Sequence, residues 1–128
     1  MMKIFGIGTD IVKISRLKKT LKSKNFLERL FNKKEIANCK KKLNTFNCFA
    51  KRFAAKEAFS KALGTGIAKG ISFNEIMILN ENNGKPFIKL LNKTKKIVEK
   101  KVKNKQYKIY LSLSDEKNYA VAFVTITI

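Results

Sequence analysis

The chain has 128 residues, 45% hydrophobic and 30% charged, which describes one soluble globular domain spanning residues 1–128 and large enough for a real core. A formal charge of +20 calls for anionic partners: nucleic acid, phosphorylated small molecules or an acidic protein. No apolar run nears the roughly 18 residues of a membrane span, and the first residues lack a signal-peptide core, so the cytoplasm is the expected compartment.

Only Arg16, Arg29 and Arg52 are arginines, whereas planar, bidentate reading of bases favours arginine over lysine. No basic–aromatic interleaving of the kind that stacks bases is present, so a specific nucleic-acid-binding module is the weaker of two readings. Cys39 and Cys48 form no C-x-x-C pair and the chain has no histidine. Two ordinary thiols are expected, rather than a metal site or a disulfide framework.

In chain order, K-I-F-G-I-G-T-D-I-V (3–12) reads as a buried strand in which Gly6 and Gly8 mark a close backbone approach and Asp10 is an interruption. Ser15 is placed to cap a basic helix over about 16–24, with Leu17 and Leu21 at i, i+4. Short helices are expected at about 25–31 and 33–43, and a long one begins at Asn44 or Thr45. A loop, A-K-G-I-S, leads to a strand at about 72–79. Asn83-Gly84 signals a two-residue hairpin, and Pro86 confines the returning strand (87–91) to an edge or a strand start. A lysine-rich helix follows at about 92–103, then a terminal hairpin of strands 107–114 and 118–128. The pattern is α+β, helices packed on a small, mainly antiparallel sheet.

Chemistry concentrates in F-A-K-R-F-A-A-K-E-A-F-S-K-A-L-G-T-G (49–66), a helix ended by glycine. Ala50, Phe53, Ala54, Glu57 and Lys61 share one face, and the rest of the helix is apolar too. Glu57 therefore falls within an apolar stripe and needs a cation, either a lysine or a metal. An i, i+4 ion pair with Lys61 is the bland alternative. For Asp10 the bland alternative is a turn residue.

These residues carry a resemblance. R-F-A-A-K-E-A-F-S-K-A-L-G-T-G, preceded by G-I-G-T-D-I-V and followed by N-G-K-P and S-L-S-D-E-K-N-Y-A, closely resembles the holo-[acyl-carrier-protein] synthases, the small single-domain 4'-phosphopantetheinyl transferases. The likeness covers essentially the whole chain. It implies transfer of the phosphopantetheine arm of coenzyme A to a serine of apo acyl carrier protein, in support of fatty acid biosynthesis. Adenosine 3',5'-bisphosphate leaves and Mg²⁺ is required. It makes Asp10 and Glu57 the metal ligands, which suits an ion that prefers hard oxygens and takes one or two protein carboxylates with phosphate and water. Lys61 is implied as a catalytic contact to coenzyme A phosphates. Arg52, Gly64, Thr65, Gly66, Tyr110 and Ser112 are implied on the coenzyme A side, and Arg16 on the carrier-protein side. Lys18, Lys19 and Lys22 join Arg16 by charge and proximity.

The pattern departs from the family at Tyr110, where histidine is usual, so histidine cannot be the general base. A water on the ion and Glu57 itself both remain as candidates. The departure keeps a catalytically weakened relative as the alternative function. The resemblance also implies a homotrimer with sites between subunits, because larger relatives fuse two copies of this unit.

Overall fold

The computed structural model describes residues 2–65, 70–104 and 106–128. Alanines at 50, 54, 58 and 62 recur every fourth position along helix α4 (Thr45–Leu63), so they form one smooth, buried stripe. Strand β1 (Ile4–Lys13) runs along it. A Cβ on Gly8 would lie 1.9 Å from the Ala58 carbonyl oxygen, and one on Gly6 would lie 1.9 Å from that of Ala62. The close approach expected at both glycines is therefore real, and its partner is the α4 backbone.

Strand β5 (Tyr119–Thr127) lies in the middle of a three-stranded antiparallel sheet, between β1 and β4 (Lys108–Asp115). Its alternation buries Ala120, Ala122, Val124 and Ile126 against α4 and turns Tyr119, Val121 and Phe123 outward. A second antiparallel pair joins β2 (Ile76–Asn80) to β3 (Pro86–Leu90). Around these lie α1 (Ile14–Thr20), α2 (Lys24–Leu30), α3 (Lys33–Lys40) and α5 (Asn92–Val102). The α+β class and the antiparallel pairing agree with expectation. Among the described residues no helix is long and apolar enough to cross a membrane.

One charged pair lies in the core. Glu35 and Lys56 have no exposed side-chain surface and are 2.7 Å apart. Glu35 also accepts from the backbone N–H groups of Asn32 and Ile78, and Lys56 donates to the Phe73 carbonyl at 2.8 Å. Burial pushes the Lys56 ammonium down to about 8, against the attraction of Glu35. The pair ties α3, α4 and β2 together, satisfying both charges as burial requires.

Several local expectations change. Asp10 does not interrupt β1, which pairs with β5 on through to Lys13. Ser15 lies within α1, and the side-chain caps fall instead at Ser23, before α2, and at Asn32, whose capping box with Glu35 opens α3. The strand expected from 72 begins only at Ile76, after a 3-10 turn (Phe73–Glu75). The hairpin is wider than two residues: Glu81 N–H donates to the Lys85 carbonyl, enclosing three residues. Gly84 has φ +88° and Asn83 does not adopt positive φ, so the two-residue type I′ turn is not formed.

Cys39 and Cys48 are not two ordinary thiols. They form a disulfide between α3 and α4 with a Cα separation of 5.4 Å. The turn between the helices folds the last residues of α3 back over the start of α4, a juxtaposition that a spacing of nine residues does not disclose.

Candidate active site

Alternation along β1 puts Gly6, Gly8, Asp10 and Val12 on the face toward α4. Because the glycines let the helix rest on the strand, the short Asp10 side chain reaches the level of Glu57 and Lys61, one turn apart on α4. All three line one cavity of about 500 Å³. Arg16, Leu17 and Thr20 of α1 form a second wall, with Phe26, Phe53 and Ile11 adding apolar surface.

Lys61 Nζ lies 3.2 Å from Asp10 Oδ1 and donates to the Thr9 carbonyl at 2.9 Å. Glu57 makes no ion pair within 4.0 Å among the described residues, so the i, i+4 bridge to Lys61 is not formed. Burial raises both carboxyl groups above their ordinary range. For Glu57 the Asp10 charge adds to the rise and Lys61 offsets part of it; for Asp10 the hydrogen bond from Lys61 opposes it. Two carboxylates that repel each other across a cleft, with one ammonium paired to Asp10 alone of the two, are short of positive charge. Among the described residues no cluster of three or more His, Cys, Asp or Glu is placed for a metal. Two hard-oxygen ligands nevertheless suit Mg²⁺, which keeps the rest of its shell for phosphate and water.

The other expected residues disperse. Arg52 is 5% exposed and points away from Glu57, with Nη1 3.0 Å from Cys48 Sγ and Nη2 3.1 Å from Asn80 Oδ1. Burial lowers its pKa, with Glu35 opposing, and its Nε has no partner. It lines a separate cavity of about 760 Å³ with Lys41, Lys42, Lys51 and Asn80, where Glu81 and Asp115 offset part of the positive charge and Lys51 lies 3.5 Å from Asp115. Tyr110 and Ser112 are exposed on the outer face of the sheet, opposite Thr125 and Phe123. Gly64, at φ +85°, closes α4, and Thr65 opens onto a third cavity beside α5. Gly66 lies outside the described residues. Lys18, Lys19 and Lys22 are exposed on or just after α1, with the Lys18 ammonium 5.2 Å from the Phe46 ring centre.

Sequence reasoning named neither Phe26 nor Thr20 for this cavity. Phe53 shares the Glu57 face, and an aromatic one turn before Glu57 is a usable signal for the cavity wall. Phe26 was hidden because it reaches the cavity only through the way the chain turns between α1 and α2.

Comparison with known proteins agrees with this geometry. The family model described as the 4'-phosphopantetheinyl transferase superfamily matches residues 6–124. The holo-[acyl-carrier-protein] synthase of Pelagibacter ubique is 49% identical over 123 residues, covering 96% of each protein. The crystal structure of the Neisseria meningitidis holo-[acyl-carrier-protein] synthase superposes with a TM-score of 0.85 at 36% identity, covering 97% of this chain and 98% of that one. The Bacillus anthracis synthase, in complex with CoA (3',5'-ADP), gives 0.79 at 36% identity over 99% and 98%. A family match spanning nearly the whole fold, with the acidic pair and its lysine in one cleft, places this chain in the 4'-phosphopantetheinyl transferase superfamily.

Proposed function

We propose that residues 1–128 form one holo-[acyl-carrier-protein] synthase unit of the cytoplasm, which moves 4'-phosphopantetheine from coenzyme A to a serine of apo acyl carrier protein and so serves fatty acid biosynthesis. The observation that carries this reading is the meeting of Asp10, Glu57 and Lys61 in a cleft walled by Arg16 and aromatic surface. In the reaction the serine hydroxyl gives its proton to Glu57 or to a water, its oxygen bonds the β-phosphorus as the diphosphate bridge breaks, and adenosine 3',5'-bisphosphate departs. Asp10 and Glu57 would hold Mg²⁺, which when bound supplies positive charge against the diphosphate and the leaving phosphate. Lys61, more than half exposed, reaches across the cleft mouth to a donor phosphate. Arg16 and the lysines of the α1 segment present a positive edge to the acidic carrier protein, and Phe26 and Phe53 offer it apolar surface beside the reacting groups.

The test is one reaction with apo acyl carrier protein, coenzyme A and Mg²⁺, followed by intact mass. The expected result is a phosphopantetheine adduct on the carrier protein. The rate under kcat/KM conditions is expected to fall steeply with added salt, as screening weakens the encounter. A competent carrier protein left unmodified would sink the assignment and leave a weakened relative. A salt-insensitive rate would sink the electrostatic docking.

We further propose that the chain works as a homotrimer with sites between copies. Two features support this. Arg52, Tyr110 and Ser112 do not share the cavity of Glu57, so all can meet one coenzyme A only if a neighbouring copy supplies some of them. The outer sheet face also leaves Ile7, Ile11, Val121 and Phe123 uncovered at 37–65% exposure, an apolar patch suited to self-association. The Arg52 cavity, whose three lysines and Arg52 outnumber Glu81 and Asp115, suits a phosphate of the nucleotide half. Light scattering is expected to give three times the chain mass, and a monodisperse, active monomer would refute the arrangement.

A further inference from the structure

The ammonium of Lys61 occupies ground that a metal ion would claim. It has two partners, the Asp10 carboxylate at 3.2 Å and the Thr9 carbonyl at 2.9 Å, both oxygens of β1 at the wall of the cleft. The Asp10 side chain is 16% exposed and that of Lys61 is 53% exposed. The lysine thus reaches in from solvent to a carboxylate held by the strand, and it can swing out again without disturbing the core. An ion pair so exposed is cheap to break.

We propose that Lys61 is the resting counter-cation of the acidic pair: it neutralises Asp10 in the free enzyme, opposes a divalent ion arriving alone, and yields when a diphosphate arrives to accept it. This rests on the reading of Asp10 and Glu57 as the metal ligands. The charge balance drives it. When both are ionised, Asp10 and Glu57 set two negative charges against the one on Lys61, a net charge of about −1 that draws in a cation. A divalent ion added alone must share Asp10 with the ammonium, and the two like charges repel. A diphosphate brings at least two negative charges, gives Lys61 a new partner and frees Asp10. Metal and coenzyme A then bind with positive coupling, and Lys61 carries that coupling.

The experiment measures Mn²⁺ binding to the free protein, by the loss of the free-ion paramagnetic resonance signal, with and without coenzyme A. Wild type, Lys61→Met, Lys61→Arg and Asp10→Asn are compared. Lys61→Met keeps the stem and removes the charge, and is expected to bind Mn²⁺ alone on the order of tenfold more tightly than wild type. In wild type coenzyme A strengthens Mn²⁺ binding, and in Lys61→Met that gain shrinks. Lys61→Arg keeps the charge and is expected to bind Mn²⁺ alone no more tightly than wild type does. Unchanged or weaker Mn²⁺ binding by Lys61→Met, in the absence of coenzyme A, overturns the proposal. Asp10→Asn separates the two layers. If it binds Mn²⁺ as well as wild type does, the metal-ligand reading itself has failed; if it loses binding while Lys61→Met shows no gain, only the role of Lys61 has failed.

Discussion

Glu57→Gln is expected to lower phosphopantetheine transfer by at least about 10³-fold while leaving the fold intact, because it removes one of two metal-binding carboxylates at the point where phosphate charge develops. Its thermal midpoint should equal or exceed that of the wild type at neutral pH. The direction follows from the raised pKa. Burial and the Asp10 charge both disfavour the ionised Glu57 in the folded chain, and Lys61 repays only part of that cost. A carboxyl that binds protons more tightly folded than unfolded loses stability as pH rises from its unfolded value through its folded one. A neutral amide does not titrate and so escapes that loss. A catalytic carboxylate held at some expense to stability has this signature: activity falls and the melting temperature does not. Transfer assays beside a calorimetric scan check both halves, and a fully active Gln variant would remove Glu57 from the chemistry.

The second large effect is expected at a residue with no functional group. Gly8→Ala places a methyl 1.9 Å from the Ala58 carbonyl oxygen and 2.7 Å from the Ala62 amide nitrogen. Both neighbours are helix backbone, so neither can turn aside as a side chain would. Strand and helix must separate, at a cost of about 3 kcal/mol or more, which lowers the midpoint by roughly 10 °C in a domain of this size. The same displacement carries Asp10 away from Glu57, so whatever variant remains folded should also have lost most activity. Denaturant titration alongside the mass assay tests this. A Gly8→Ala protein of wild-type stability would mean that strand and helix are not in contact there.

How far the sequence discloses this arrangement depends on how local each feature is. The glycines of β1, the α4 stop at Gly64 and the period-2 pattern of β4 and β5 were legible because each reflects one element's own geometry. Asp10, Glu57 and Lys61 were legible as a set through the motif resemblance, while their meeting required the fold. The burial of Lys56 was not visible. Its partner Glu35 lies in another helix, and nothing between them marks two charged residues as the anchor of three elements. The disulfide was missed for a related reason, since two cysteines without C-x-x-C spacing or a histidine spoke for free thiols while the α3–α4 turn decided the distance. The Asn83-Gly84 signal located a turn correctly and misjudged its length, because only Gly84 of the two takes positive φ.

The pairing of β1 with β5 has a consequence for synthesis. The Lys3 amide bonds the Ile128 carbonyl, and Asp10 stands opposite Ala122, so the first strand made is completed by the last. Until residues 119–127 leave the ribosome, the segment bearing Asp10 has no neighbouring strand to hold it at Glu57. A nascent fragment that stops short of residue 119 is therefore expected to lack the strand that pairs with the Asp10 segment, leaving only the α4 contact to position it.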